Sequence, residues 1–150
     1  MNMSDSIFRA QEEDAAAVWK IRYHPLVNQT ALQGQPVALP EHRQWFRKRY
    51  LDIPNNVCLV FKRGGKVLGY CRLDENEANT FTVSIAVHPD YHRQGLGQLL
   101  LTAALREGHS PKKFLAHIKK NNPSSLLFFQ RNGFVVMSEA DSAYTLVRAF

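Results

Sequence analysis

The chain has 150 residues, 45% of them hydrophobic and 21% charged, which bounds it to one domain, 1–150, burying about 70% of its extended surface. No apolar run reaches the ~20 residues of a membrane span, and the opening MNMSDSIFRAQEED has neither the basic flank nor the apolar core of a secretory signal, so a cytoplasmic protein with no membrane partner is expected. The formal net charge of +6 draws anions, nucleotides and phosphorylated cofactors included, while the missing helix-turn-helix and stacking-platform patterns argue against a nucleic-acid partner.

In chain order, IFRA (7–10) reads as a strand and EDAAAVWKIR (13–22) as a helix stopped before His24-Pro25. LVNQTALQGQPVAL (26–39) reads as a substrate-facing loop or a broken helix. Pro40 suits the first turn of a second helix with Trp45, Phe46 and Tyr50 as its buried stripe; RQWFRKRY (43–50), the densest basic cluster, reads as its solvated face.

VCLVFKR and KVLGYCRL flank Gly64-Gly65 as a hairpin. Alternation puts Leu59 and Phe61 on one face with Leu68 and Tyr70, and sets Cys58 opposite Cys71 as reduced neighbours. Asp74, Glu75 and Glu77 then fall in a polar turn. NTFTVSIAV (79–87) is a strand, Gly97–Glu107 a helix closed by Gly108, and KFLAHI (113–118) a strand. Asn122-Pro123 caps and opens a helix through SSLLFFQR. FVVM and AYTLVRAF complete an α/β (α+β) chain with a mixed sheet.

The stretch HRQGLGQ (92–98) joins a strand to a helix. Free amides at a helix start form an anion site, and glycine lets a phosphate approach. No Lys-Ser/Thr follows, so this is not a P-loop, and GLG is not a GxGxxG fingerprint. A plain tight turn explains a glycine pair equally well. His88 and His92 straddle Pro89-Asp90 without a third ligand, so no metal is expected.

With SIAVHPDY before the turn and NPSSLLFFQRNGF after the next strand, residues ~57–135 resemble the GNAT acetyltransferase superfamily. The resemblance implies a mostly antiparallel sheet of about seven strands, about four flanking helices and splayed central parallel strands. It implies acetyl-CoA as cofactor, its pyrophosphate held by backbone at His92, Arg93, Gln94, Gly95, Leu96, Gly97 and Gln98. The pantetheine arm would lie along Ala86-Val87, with Asn122 touching it or capping its own helix. The acceptor would be a primary amine on a small molecule, and the chain a monomer or homodimer.

Relatives often protonate the leaving thiolate with a tyrosine where this chain has Phe129, so the acid and base are sought elsewhere. Ser84 on the central strand, Glu77, Tyr91 and Asn122 are the candidates. KIRYHPLVNQTALQGQPVALPEHRQWF (20–46) further resembles enzymes acetylating nucleotide-linked amino sugars, for example UDP-linked ones. That implies acceptor contacts from Arg22, His24, Gln33, His42 and Trp45. A protein N-terminus, a lysine or another small amine stays open as acceptor, as does an acetyl-CoA-binding regulator without turnover.

Overall fold

The computed structural model describes residues 4–31, 34–107 and 112–149. Its strands are β1 (Asp5–Arg9), β2 (Val57–Arg63), β3 (Lys66–Glu77), β4 (Thr80–Val87), β5 (Lys113–Lys119), β6 (Val135–Glu139) and β7 (Ala143–Ala149). They form one sheet in the order β1-β2-β3-β4-β5-β7-β6, in which only β4 and β5 pair in parallel. The described helices are α1 (Ala15–Arg22), α2 (Pro25–Asn28), α3 (Leu39–Phe46), α4 (Leu96–Leu105) and α5 (Pro123–Arg131). The mixed, mostly antiparallel sheet matches expectation. The added helix is α2, which breaks the polar 26–39 segment and is capped by His24 Nδ1 accepting from the Leu26 amide. Gln33 and Gly108, both named above, lie outside the described residues.

Each face of the sheet is covered by its own core. On one face Leu59, Phe61, Leu68, Cys71 and Leu73 pack against Leu96, Leu100, Leu101 and Ala104 of α4 and Phe129 of α5. On the other, Cys58, Val60 and Tyr70 pack against Val18, Ile21, Phe46 and Tyr50. This corrects the hairpin reading. Gly64 and Gly65 do form its turn, both with positive φ (57° and 83°), as a type I′ connection requires. However, the register slips between Phe61 and Lys62, so Leu59 meets Cys71 while Cys58 meets Arg72. One extra residue in β3 sends every later side chain to the opposite face. Tyr70 therefore leaves the Leu59/Phe61 face, and the two free, buried cysteines belong to different cores.

β3 also runs four residues beyond the Leu73 boundary, to Glu77. Asp74 is accordingly buried in a strand, not solvated in a turn. Of the α3 stripe, Phe46 and Tyr50 are buried and Trp45 is half-buried. A π-helical turn at Arg47–Leu51 carries Tyr50 inward.

What positions a site is the junction of the two parallel strands. β4 and β5 pair only from Thr80–Thr82 to Lys113–Leu115. Beyond them β5 continues along β7 as far as Lys119, while Val83–Val87 continues along β3. The sheet splits open toward the C-terminal ends of both strands.

Candidate active site between the splayed strands

The split is a cleft of about 660 Å³. Val83–Val87 of β4 form one wall, and His117 and Ile118 of β5 with Asn122, Ser125, Phe128 and Phe129 form the other. Leu26, Val27, Thr30 and Ala31 contribute from α2 and the turn after it, so that part of the 26–39 segment borders the cleft.

At the mouth of the split stands the start of α4. Gly95 is its N-cap, left-handed at φ 78°, and the first helical amide with a backbone partner is that of Leu99, donating to the Gly95 carbonyl. The amides of Leu96, Gly97 and Gln98 thus precede the helical ladder, with the positive end of the helix dipole at the same point. Arg93 is left-handed as well, at φ 64°, an unusual conformation outside glycine. Three sets of side-chain hydrogen bonds brace the turn. His92 Nε2 bonds the Val87 carbonyl at 2.8 Å, Arg63 donates to Gln94 Oε1 at 3.1 Å, and Gln98 and Asn132 exchange two amide hydrogen bonds. With these side chains committed to the fold, what the segment offers a ligand is backbone and the exposed side chain of Arg93.

The two glycines serve different ends. Gly95 is required by its positive φ. Gly97 has ordinary φ, and a Cβ there would meet Phe128 and Val87 only at 3.9–4.0 Å. The protein itself has room for alanine at 97, and the missing Cβ leaves the amides open toward the cleft that Gly97 lines.

Of the expected catalytic residues, Ser84 and Asn122 line the cleft, whereas Glu77 and Tyr91 are not among its lining residues. Glu77 is exposed where β3 turns into β4, at the paired end of the parallel strands. Tyr91 faces Lys66, whose Nζ donates to its hydroxyl at 3.4 Å. Asn122 accepts from the Ser125 amide through Oδ1, which makes it a helix cap within the cleft wall. Of the expected acceptor contacts, Arg22 lines the cleft and His24, His42 and Trp45 do not. His24 packs edge-on against His88 at 5.2 Å. His42 is 0% exposed in the α1/α3 layer, and burial first, then Arg22, pulls its imidazole down to about 4.

Two lining residues escaped the sequence reading. Arg72 stands across from Ser84 in the β3–β4 register and is 8% exposed. Its signal was legible: an arginine within the otherwise apolar run 67–73. Tyr50 and Asp74 hold it, at 2.9 Å from the hydroxyl and 3.3 Å from Oδ2. Asp74 Oδ1 further accepts from Tyr50 and from Arg49, each at 2.8 Å. Burial works against the charge on Arg72, but Tyr50, Tyr70 and Asp74 together outweigh it and leave its pKa raised. His117 is exposed on β5 and shares a 3.1 Å hydrogen bond with Thr145. Nothing in KFLAHI marked it, because only the splay turns that position into a cleft wall. Among the described residues, no group of three His, Cys, Asp or Glu could hold a metal, and no helix is long and apolar enough to cross a membrane.

A sheet split at its one parallel pair, with an uncapped helix start at its mouth, defines an acyl-carrier-binding transferase of the acetyltransferase type. The model of the acetyltransferase (GNAT) family matches residues 17–134, and the chain belongs to that family, whose acyl donor is acetyl-CoA. Solved structures share the fold. yncA of Salmonella typhimurium, described as an acetyltransferase and solved with its cofactor acetyl-CoA, has a TM-score of 0.81 and 22% identity, over 97% of this chain and 93% of that one. A protein described as a phosphinothricin N-acetyltransferase has a TM-score of 0.82 and 22% identity, over 97% and 98%. The spermidine/spermine N-acetyltransferase SpeG of Vibrio cholerae has a TM-score of 0.77 and 15% identity, over 99% and 95%. No curated protein matches by sequence.

Proposed function

We propose that this chain moves acetyl directly onto the primary amine of a small molecule bound in the cleft between β4 and β5. The observation that carries the proposal is the meeting, in one cavity, of the free β4 edge and the α4 amides. The residues fit the cofactor: amides of Leu96, Gly97 and Gln98 suit its pyrophosphate, and Val83–Val87 offers strand-edge backbone to its amide-bearing arm. Bound acetyl-CoA supplies an activated carbonyl, at which the amine's new C–N bond replaces the C–S bond, the amine losing a proton and the thiolate gaining one.

The chain's part is largely positioning. Holding both reactants in one narrow split substitutes for much of the entropy of a bimolecular encounter. Phe129 lines the cleft and has no proton to give, so the leaving thiolate would take its proton from solvent, with the Ser84 hydroxyl and Asn122 Nδ2 able to donate hydrogen bonds to it. His117 is the lining imidazole whose ring partner is a hydroxyl, whereas His92 is bound to the Val87 carbonyl. Imidazole is the side-chain base suited to neutral pH, and His117 is our assignment for taking the amine's proton, directly or through water.

An amino-sugar acceptor is the finer form of this reading, supported by Arg22 in the lining; His24, His42 and Trp45 give it no support from there. The test is release of free CoA thiol with a UDP-linked amino sugar, amino acids, spermidine and a short peptide offered in parallel, alongside calorimetric binding of acetyl-CoA. Gly97→Glu is expected to abolish acetyl-CoA binding while leaving the far-UV circular dichroism unchanged. Unchanged affinity in that variant, or tight acetyl-CoA binding with no thiol release from any amine, overturns the proposal.

A further inference from the structure

The acceptor end of the cleft carries a charge pattern that the transfer reaction alone does not explain. Its described lining includes Arg22 and Arg72 and no Asp or Glu. Both guanidinium groups lie against the same indole, with Arg22 Cζ 4.3 Å and Arg72 Cζ 5.3 Å from the Trp45 ring centroid. Arg49 joins Arg72 at the carboxylate of Asp74. Two guanidinium groups share that one carboxylate, and Arg72 also acts electrostatically on Arg22, so the described lining is positive where burial strengthens Coulomb terms.

Arg22 shows the strain of this arrangement: its pKa is lowered, by burial first and by Arg72 second. Arg72 cannot swing away, because Tyr50 and Asp74 fix it, and its buried Nε has no hydrogen-bond partner among the described residues. Tyr70, cross-strand from Ala86, and Ser84, cross-strand from Arg72, add hydroxyls on the same face.

Like charges held side by side and facing a cavity form a receptor for a negative group. We infer that the acceptor is an amine that also carries an oxyanion, a carboxylate or a phosphate, which Arg22 and Arg72 bind while its amino group faces the β4 edge. This rests on the transfer proposal for the same cleft and narrows its substrate class. A polycation such as spermidine is disfavoured by the same pair, which would repel its distal ammonium groups.

The experiment uses α-amino acids, their carboxamides, phosphoethanolamine and spermidine. Each is titrated calorimetrically into wild type saturated with CoA, and each is assayed with acetyl-CoA for thiol release. The expected result is that anionic amines bind and turn over on the order of 100-fold better than the carboxamides and spermidine. Amino acids against phosphoethanolamine then tell carboxylate from phosphate.

Arg22→Gln is expected to remove that preference through KM while acetyl-CoA affinity is kept. Arg72→Lys, which retains the charge beside Asp74 but loses the fork, is expected to weaken the same anions roughly tenfold. Binding of anionic amines without thiol release would sink the transfer reading and leave the anion site standing. Thiol release that favours carboxamides or spermidine, anionic selectivity that survives Arg22→Gln, or no binding of any anionic amine to the CoA-loaded protein overturns the inference.

Discussion

Gly95 and Gly97 look interchangeable in the string QGLGQ, yet the backbone separates them. Gly95 sits at φ 78°, where any side chain is strained, so Gly95→Ala is expected to cost about 1–2 kcal/mol of stability. Gly97 lies inside α4 with ordinary φ and room for a methyl. Gly97→Ala is expected to stabilise the ligand-free protein by about 0.5–1 kcal/mol through helix propensity. It also places a methyl among the amides that would meet the pyrophosphate, so acetyl-CoA affinity should fall as stability rises. Urea unfolding and calorimetry on the two variants check both signs; an alanine at 97 that leaves affinity untouched would remove that glycine from the site. The sequence showed that bare backbone stood at this junction, and which glycine served the fold and which the ligand became visible only with φ in hand.

Among elements, the β2–β3 hairpin decides how the site is built. Its turn was legible from Gly64-Gly65, but its bulge was not. VCLVFKR and KVLGYCRL are apolar on both faces, so hydrophobic alternation accepts either register. The β3–β4 register puts Arg72 and Tyr70 on the face of Ser84 and Ala86, and the slip sets that face with Cys58 and Val60, on the side that α1 and α3 cover. Gly69 allows that path. A Cβ there would come within 3.0 Å of the Ala86 carbonyl oxygen, 3.2 Å of Leu100 Cδ1 and 3.3 Å of Val87 Cα. Backbone and a fully buried leucine have little room to yield, so Gly69→Ala is expected to destabilise by about 1–3 kcal/mol. Because the displaced strand is the one proposed to pair with the cofactor, the KM for acetyl-CoA should rise in the variant while spermidine-against-amino-acid preference stays the same. A variant with wild-type stability and KM would show that β4 tolerates displacement and that its edge is not the cofactor's partner.

At the scale of the molecule, positive charge gathers on the face that α1 and α3 cover, and the fold answers it with tyrosines, a neutral histidine and Asp74. The basic run at 43–50 was read as a solvated helix face, and Arg43, Lys48 and Arg47 are indeed exposed. Arg49 departs from that reading because the π-helical turn directs it to Asp74, an irregularity that no propensity argument foresees. His42 lies buried in the same layer, with the Arg22 and Arg72 charges acting on it. At neutral pH it is uncharged in both folded and unfolded chain. As the pH falls below ~6.5 the unfolded chain binds a proton there, whereas the fold, with its imidazole held down to about 4, does not. Protons then favour unfolding, so stability falls from about pH 6.5 toward pH 4 and this contribution levels off below that. The loss is on the order of 3 kcal/mol at most. His42→Leu, close in volume and without a titrating group, is expected to change stability at pH 7 but to lose less of it by pH 4.5 than wild type does. Urea midpoints of both proteins at pH 7, 6, 5 and 4.5 measure the difference, since carboxylate titration is common to the two and cancels. Parallel slopes would mean that His42 is protonated within the fold, and that the positive surplus assigned to this face is smaller than the three arginines suggest.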